Sequence, residues 1–286
     1  MARTVDAPPP VMQSYHATMT LEMSLEWISQ PEPEERLYEE LHARAGQPLP
    51  SLGDDENRPR TIGNVAARRE GTLLGWAWLY EDPDGEHAAR VQALYVPREA
   101  HRLETGHYSP LPPPAEECEM VTGLYRRAAQ EARAASYRTL RWSGPDAGPD
   151  GQAATALNAY GHGEYARTWS TNPATWQPPV GLPDAPARRL PEPDLTLATA
   201  DAEISAAIEG HMAHLNATEA IRYQRTEPRT LAPLIAQLVT HLRHDHPTVT
   251  ELTIWEFDDT VRQALPLAGL SITERHMAYE LPLTPS

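Results

Sequence analysis

The stretch TLLGWAWLYEDPDGEHAARVQALYVP, residues 72–97, decides how this chain is read. Residues 73–80 carry Leu, Trp and Tyr at strand density, and Asp82-Pro83-Asp84-Gly85 is turn chemistry. Residues 89–96 form a second strand that stops at Pro97-Arg98. In the first strand Trp76, Trp78 and Tyr80 share one face, while Gly75, Ala77 and Leu79 share the other. Both faces are apolar or small, which predicts a central strand covered on both sides. The aromatics are read as core; the sharper alternative places one indole against a ligand cleft.

Upstream, residues 1–14 read as a mobile terminus and 15–24 as a first strand. A helix is expected over 34–45 with Leu37, Tyr38 and Leu41 on one face. Residues 62–69 form a strand, and Glu70-Gly71 is a tight hairpin turn into the Trp strand. Downstream, 115–136 carries Val121, Leu124, Tyr125, Ala128, Ala129 and Ala132 at helical spacing. A strand at 138–142, a short helix at 152–159 and a strand at 164–169 follow, with Tyr160 to Gly163 between the last two. The proline-rich segment 177–194 reads as a linker. Beyond it come a strand at 195–198, a helix capped by Asp201 and running to Leu215, a helix at 231–244, a strand at 249–255, a helix at 259–267 and a closing strand at 272–281. The expected domains are 15–176 and 195–286.

The 286 residues suffice for one large or two modest cores. A formal net charge of -16 opposes nucleic acid as a partner. No apolar run spans a membrane, and the first residues lack a signal peptide's apolar region, so a soluble cytoplasmic protein is expected. The one cysteine, Cys118, forms no internal disulfide. The chain contains no lysine, which removes Schiff-base and lysine-nucleophile chemistry.

Taken in order, these elements resemble the GNAT acyltransferase fold. The resemblance rests on RVQALYVP (90–97), the helix to 136, TLRW (139–142) and ALNAYGH (156–162), where Gly161-His162 stands at the family's Gly-Phe pair. The pattern recurs in HPTVTELTIW (246–255) and LPLAGL (265–270), with Gly269-Leu270 at the same place. This implies a mixed α/β tandem GNAT-like fold with a reduced second lobe. Only about fifteen residues separate Leu215 from Leu231, too few for that lobe's hairpin and long strand. The resemblance further implies an acyl-CoA-dependent N-acyltransferase acting on a small amine, with acetyl-CoA or another acyl-CoA as cofactor. Backbone at Leu94, Tyr95 and Val96 would orient the cofactor, and Arg98, Arg102 and Gly106 would meet its phosphates. The loop REAHRLETGHYSPLPPP (98–114) departs from the family's phosphate loop: it lacks the second glycine, and its prolines remove N–H donors. At the family's general-acid tyrosine stand Leu157 and, in the second lobe, Leu265.

Other clusters are candidates for chemistry. His101, Glu104, His107 and Tyr108 crowd the loop after the central strand. His211 and His214 share a face of the expected helix but lack a third metal ligand. His241, His244, Asp245 and His246 are explained by a helix C-terminus. Cys118, among Glu116, Glu117 and Glu119, reads as an inert thiol. No catalytic residue and no metal site are assigned. Two readings stand beside the acyltransferase: a GNAT fold that has lost acyl-CoA chemistry, and a non-catalytic binding protein.

Overall fold

The computed structural model describes residues 23–29, 34–45, 59–95, 113–191, 194–216, 221–223, 227–256 and 258–283. The elements in chain order are β1 (Ser24–Ile28), α1 (Glu34–Ala45), β2 (Thr61–Arg69), β3 (Thr72–Glu81), β4 (Ala88–Tyr95), α2 (Ala115–Ala134), β5 (Thr139–Pro145), α3 (Pro149–Leu157) and β6 (Tyr160–Thr171). After these come β7 (Arg188–Arg189), β8 (Leu195–Ala198), β9 (Ala202–Glu209), β10 (Met212–Asn216), β11 (Ile221–Tyr223), α4 (Pro228–Asp245), β12 (Glu251–Glu256), α5 (Asp259–Leu267) and β13 (Ser271–Pro282). The fold is mixed α/β, as expected.

The Trp strand is β3, buried on both faces. Trp76 and Trp78 pack with Leu37 and Leu41 of α1, whereas Ala77 and Leu79 join the core under α2. The indole Nε1 groups donate to Asn64 Oδ1 at 2.7 Å and Thr61 Oγ1 at 2.9 Å, so these rings are satisfied core residues. Glu70 and Gly71 have φ of 50° and 79°, the left-handed pair that a two-residue hairpin loop requires.

One sheet runs through the molecule in the order β1-β2-β3-β4-β5-β13-β6-β12-β10-β9-β8-β7. Its centre is an exchange. β13, the last strand of the second half, lies between β5 and β6; β6, the last strand of the first half, lies between β13 and β12. Each half therefore completes the other's sheet. Separate cores flank this seam, one of Leu, Val and Ala from α2 with Trp142 and Tyr279, the other built on α4 and α5. Among the described residues no helix is long and apolar enough to cross a membrane.

Some expectations are corrected and others lie outside what the structure tests. The segment read as a helix over 201–215 is the β9–β10 hairpin, turning at Gly210 with φ 61°. Ala-rich AEISAAIE favours a helix by propensity, but Ala202, Ile204 and Ala206 are buried at period two, and tertiary burial decides. With the hairpin in place, the order strand, strand, strand, helix, strand, helix, strand of the first lobe repeats in the second, apart from the added three-residue strand β11 before α4. That lobe is reduced in length: β8, β9 and β10 have 4, 8 and 5 residues against 9, 10 and 8 for β2, β3 and β4. His211 and His214 are consequently a turn and a strand residue rather than helix neighbours. The first described strand is 24–28, most of the stretch 15–24 falling outside the described residues, and Tyr160 to Gly163 belong to β6. Part of the proline-rich segment packs on the second core: Trp176 Nε1 donates to Ala268 O at 3.0 Å, and Leu182, Ala185 and Ala187 lie against it.

The exchange makes a direct prediction. Truncation after residue 270 removes β13 and leaves β5 and β6 each with an unpaired edge. The truncated chain should show no cooperative thermal transition by circular dichroism. A transition at the melting temperature of the full chain would contradict the strand order.

Candidate active site

β4 and β5 form a fork. They pair in parallel only at Ala88–Thr139, Ala89–Leu140 and Arg90–Arg141. Beyond that rung β4 stays on β3, from Val91–Leu79 to Tyr95–Gly75, and β5 stays on β13. From 91 to 95 the β5-facing edge of β4 carries no ladder among the described residues. Parallel neighbours ordinarily continue their bonds, so a parting of this kind marks a place for backbone to meet something else.

The closed end of the fork is clamped. Arg90 and Arg141 are direct partners on one face and would repel. Asp82, with its side chain fully buried, lies between them, 3.4 Å from Arg90 Nη2 and 3.2 Å from Arg141 Nη1. Glu280 of β13 takes Arg141 Nε at 2.7 Å. The clamp ties the β3–β4 turn, β4, β5 and β13 together. A polar cavity of about 360 Å³, lined by Glu81, Asp82, His87 and Tyr137 among others, lies at this closed end, away from the parting strands.

Just beyond the clamp a set of ionisable groups gathers, with Tyr165 and His276 beside Glu274 on the clamp's face and Asp150 on the α2 side of the sheet. Tyr165 is the residue left over where β6 bulges between Glu164 and Ala166; a bulge re-aims a side chain. Its ring meets His276 edge-on at 6.1 Å, and it lies within hydrogen-bonding reach of Ser143 on β5. Burial raises its phenol above the ordinary value; Ser143 opposes this, and Asp150 and Glu274 add to it. His276 is 9% exposed, with Nε2 2.9 Å from Thr168 Oγ1 and 3.4 Å from Glu274 Oε2. Burial lowers its pKa, so the imidazole is neutral near pH 7. Burial, together with the charge of Asp150, pushes Glu274 up to about 7. Asp150, the second residue of α3, is itself raised to about 6 by burial, although the Tyr125 hydroxyl donates to it. It fits there because Gly144 has no side chain; a Cβ at 144 would collide with the carboxyl group.

On the opposite face of β6 and β13, Glu164 is paired with Arg167 and with Arg275, the latter at 2.7 Å. Burial would raise that carboxyl, but the two guanidiniums hold it below its usual range. The contrast separates a structural carboxylate, Glu164, from two poised ones, Glu274 and Asp150.

Of the residues expected to meet a cofactor, Leu94 and Tyr95 are the last two of β4, on the parted edge. Val96, Arg98, Arg102 and Gly106 lie outside the described residues, as do His101, Glu104, His107 and Tyr108. The start of α2 provides a poor phosphate cradle: its N-cap is Pro114, and Glu116 and Glu117 fill the first turn. Cys118 is buried, and burial and then Glu117 raise its pKa, which suits an unreactive thiol. His241 Nδ1 is 3.1 Å from Asp245 at the end of α4. Among the described residues no three His, Cys, Asp or Glu side chains are grouped to hold a metal.

No family model and no curated protein matches this sequence. Solved structures do. A tandem GNAT protein from the clavulanic acid biosynthesis pathway is 16% identical and superposes with a TM-score of 0.50, over 92% of this chain and 100% of that one. The fold is that of a tandem GNAT protein. A GCN5-related N-acetyltransferase from Sphaerobacter thermophilus (10% identity, TM-score 0.44, 92% of this chain and 96% of that one) and a GNAT-family acetyltransferase from Colwellia psychrerythraea (11%, 0.48, 90% and 99%) also match. Within this tandem GNAT fold the sequence reading located the parting strand but none of Tyr165, Glu274, His276 or Asp150. They come from β6, β13 and α3, and only the strand exchange brings them together.

Two outcomes check the site. Asp82→Ala leaves two arginines facing each other and should destabilise the fold by about 3 kcal/mol in urea unfolding; no change would remove the clamp from the account. Glu274 is raised in the folded state, so folding binds a proton that the unfolded chain releases. Stability should therefore fall as pH climbs from the ordinary carboxylate range through about 7. Glu274→Gln should raise the melting temperature at pH 8 and leave it unchanged at pH 4. Equal effects at both pH values would mean that Glu274 is not poised.

Proposed function

We propose that this chain is an acyl-CoA-dependent N-acyltransferase that acts on a small amine in the cytoplasm, with its site at the β4–β5 fork. The observation that carries the reading is the parting of β4 from β5 beside Tyr165 and Glu274. The free edge of β4 at 91–95 offers backbone N–H and C=O groups to an extended, amide-bearing cofactor arm, as an unpaired strand edge offers them to a peptide. Leu94 and Tyr95 lie on that edge. Arg98, Arg102 and Gly106 are proposed to meet the phosphates, a role the acidic first turn of α2 does not fill. Acyl-CoA, when bound, supplies the acyl group as an activated thioester.

The rest is work for the chain's own groups. Glu274, with a pKa of about 7, is ionised often enough near neutrality to take a proton from an ammonium nitrogen at Oε, and basic enough to keep it. Tyr165, held protonated by burial, keeps an O–H available as a donor at the fork. Neutral His276 adds no competing positive charge, and with Thr168 it fixes the neighbourhood of Glu274. One observation favours a GNAT fold that has lost acyl-CoA: the carboxylates at the start of α2, which oppose a pyrophosphate there.

Calorimetric titration with acetyl-CoA separates the two readings. Binding in the micromolar to sub-millimolar range, about -5 to -8 kcal/mol, is expected. Glu274→Gln should leave that affinity unchanged while lowering kcat by about a hundredfold or more. Absence of binding at millimolar acetyl-CoA would contradict the proposal.

A further inference from the structure

The open face of the seam carries a second feature. Trp255 at the end of β12 is 45% exposed and Tyr165 on β6 is 41% exposed, although both sit at the middle of a sheet. Their rings flank His276, at 6.0 and 6.1 Å between centroids. Trp255 and Glu274 each pair with Thr168, one from either side of β6, so indole, carboxylate and hydroxyl share one face. Rings left accessible beside a carboxylate that is itself four-fifths covered make an electron-rich, negatively biased surface. Trp255 belongs to the second half of the chain and Tyr165 to the first, and Glu274 and His276 are on the exchanged strand.

We propose that Trp255, Tyr165 and Glu274 form a binding site for an organic ammonium, in which the rings hold the alkyl or methyl groups around the nitrogen and the carboxylate balances its charge. The ligand class is an aliphatic ammonium. Because ring faces attract the cation without needing its N–H bonds, methylated ammoniums fit as well as primary ones. Calling this ligand the acyl acceptor rests on the acyltransferase reading; the binding does not. The groups facing Glu274 are Asp150 from α3, His276 on its own strand, Thr168 and Tyr165 from β6, with Ser143 of β5 and Arg90 of β4 on the far side of Tyr165. Arg90 is tied to Asp82 and His276 is neutral, so the local balance favours a cation once Glu274 ionises.

The test uses the full chain without cofactor and two probes of similar size, tetramethylammonium and the uncharged neopentyl alcohol, followed by NMR of the indole N–H signals. Tetramethylammonium should move the Trp255 signal with an affinity that rises as pH increases through about 7, and neopentyl alcohol should bind at least about fivefold more weakly. Trp255→Ala, followed through line broadening of the tetramethylammonium methyl signal because the indole reporter is gone, should weaken the cation about fivefold or more, and Trp255→Phe should restore most of it. Glu274→Gln should abolish the pH dependence. Equal binding of the alcohol, or cation binding untouched by Glu274→Gln, would overturn the proposal, the first on the wild-type chain alone. Cation binding intact with no acetyl-CoA binding would sink the acyltransferase reading and leave this site standing; acetyl-CoA binding without cation binding would do the reverse.

Discussion

The pairing of β13 with both β5 and β6 is the constraint on which the rest of the molecule depends. It closes one sheet across two lobes, and gives each lobe a central strand that belongs to the other. A buried strand with both edges paired satisfies its backbone groups and fixes its register. Here that register sets the candidate site. The bulge on β6 leaves Tyr165 over, and the same ladder places His276 and Glu274 beside it. A one-residue slip of β13 would move both side chains to the face where Glu164 sits paired with its arginines.

Charge is distributed along the seam in a way that makes sense of the two faces. At the closed end of the fork, Asp82 and Glu280 neutralise Arg90 and Arg141, and on the opposite face Arg167 and Arg275 neutralise Glu164. Between these saturated clusters, Glu274 and Asp150 have no arginine of their own among the described residues, and burial raises both, to about 7 and about 6. Desolvated carboxyls without a cationic partner cost stability. In the proposed function, their place beside a parted strand pair is where such a cost would serve proton transfer.

Much of the fold was legible in the sequence, and the reasons for the rest are physical. Helix bounds at 34–45 and 259–267 followed from periodicity and caps, and the double burial of the Trp strand from its two apolar faces. The helix expected over 201–215 failed because alanine-rich propensity and an Asp at a cap position resemble a helix start, whereas alternation over Ile204, Ala206 and Ile208 is short and easily hidden. The site was not legible. Tyr165 and Glu274 are 109 positions apart in the sequence, carry no shared motif, and meet through an exchange that no local pattern announces. Leu157 at the place of the family's tyrosine gave no hint that Tyr165, from a bulge on the next strand, stands at the fork.

The central claim is that the fork between β4 and β5, rather than any other part of the sheet, receives the cofactor. Backbone hydrogen exchange read by mass spectrometry, with and without acetyl-CoA, tests it most directly. Slowed exchange is expected in peptides covering residues 91–95, with no change over 212–216, the corresponding strand β10 of the second lobe. Protection confined to 212–216, or none at 91–95 under saturating cofactor, would contradict it.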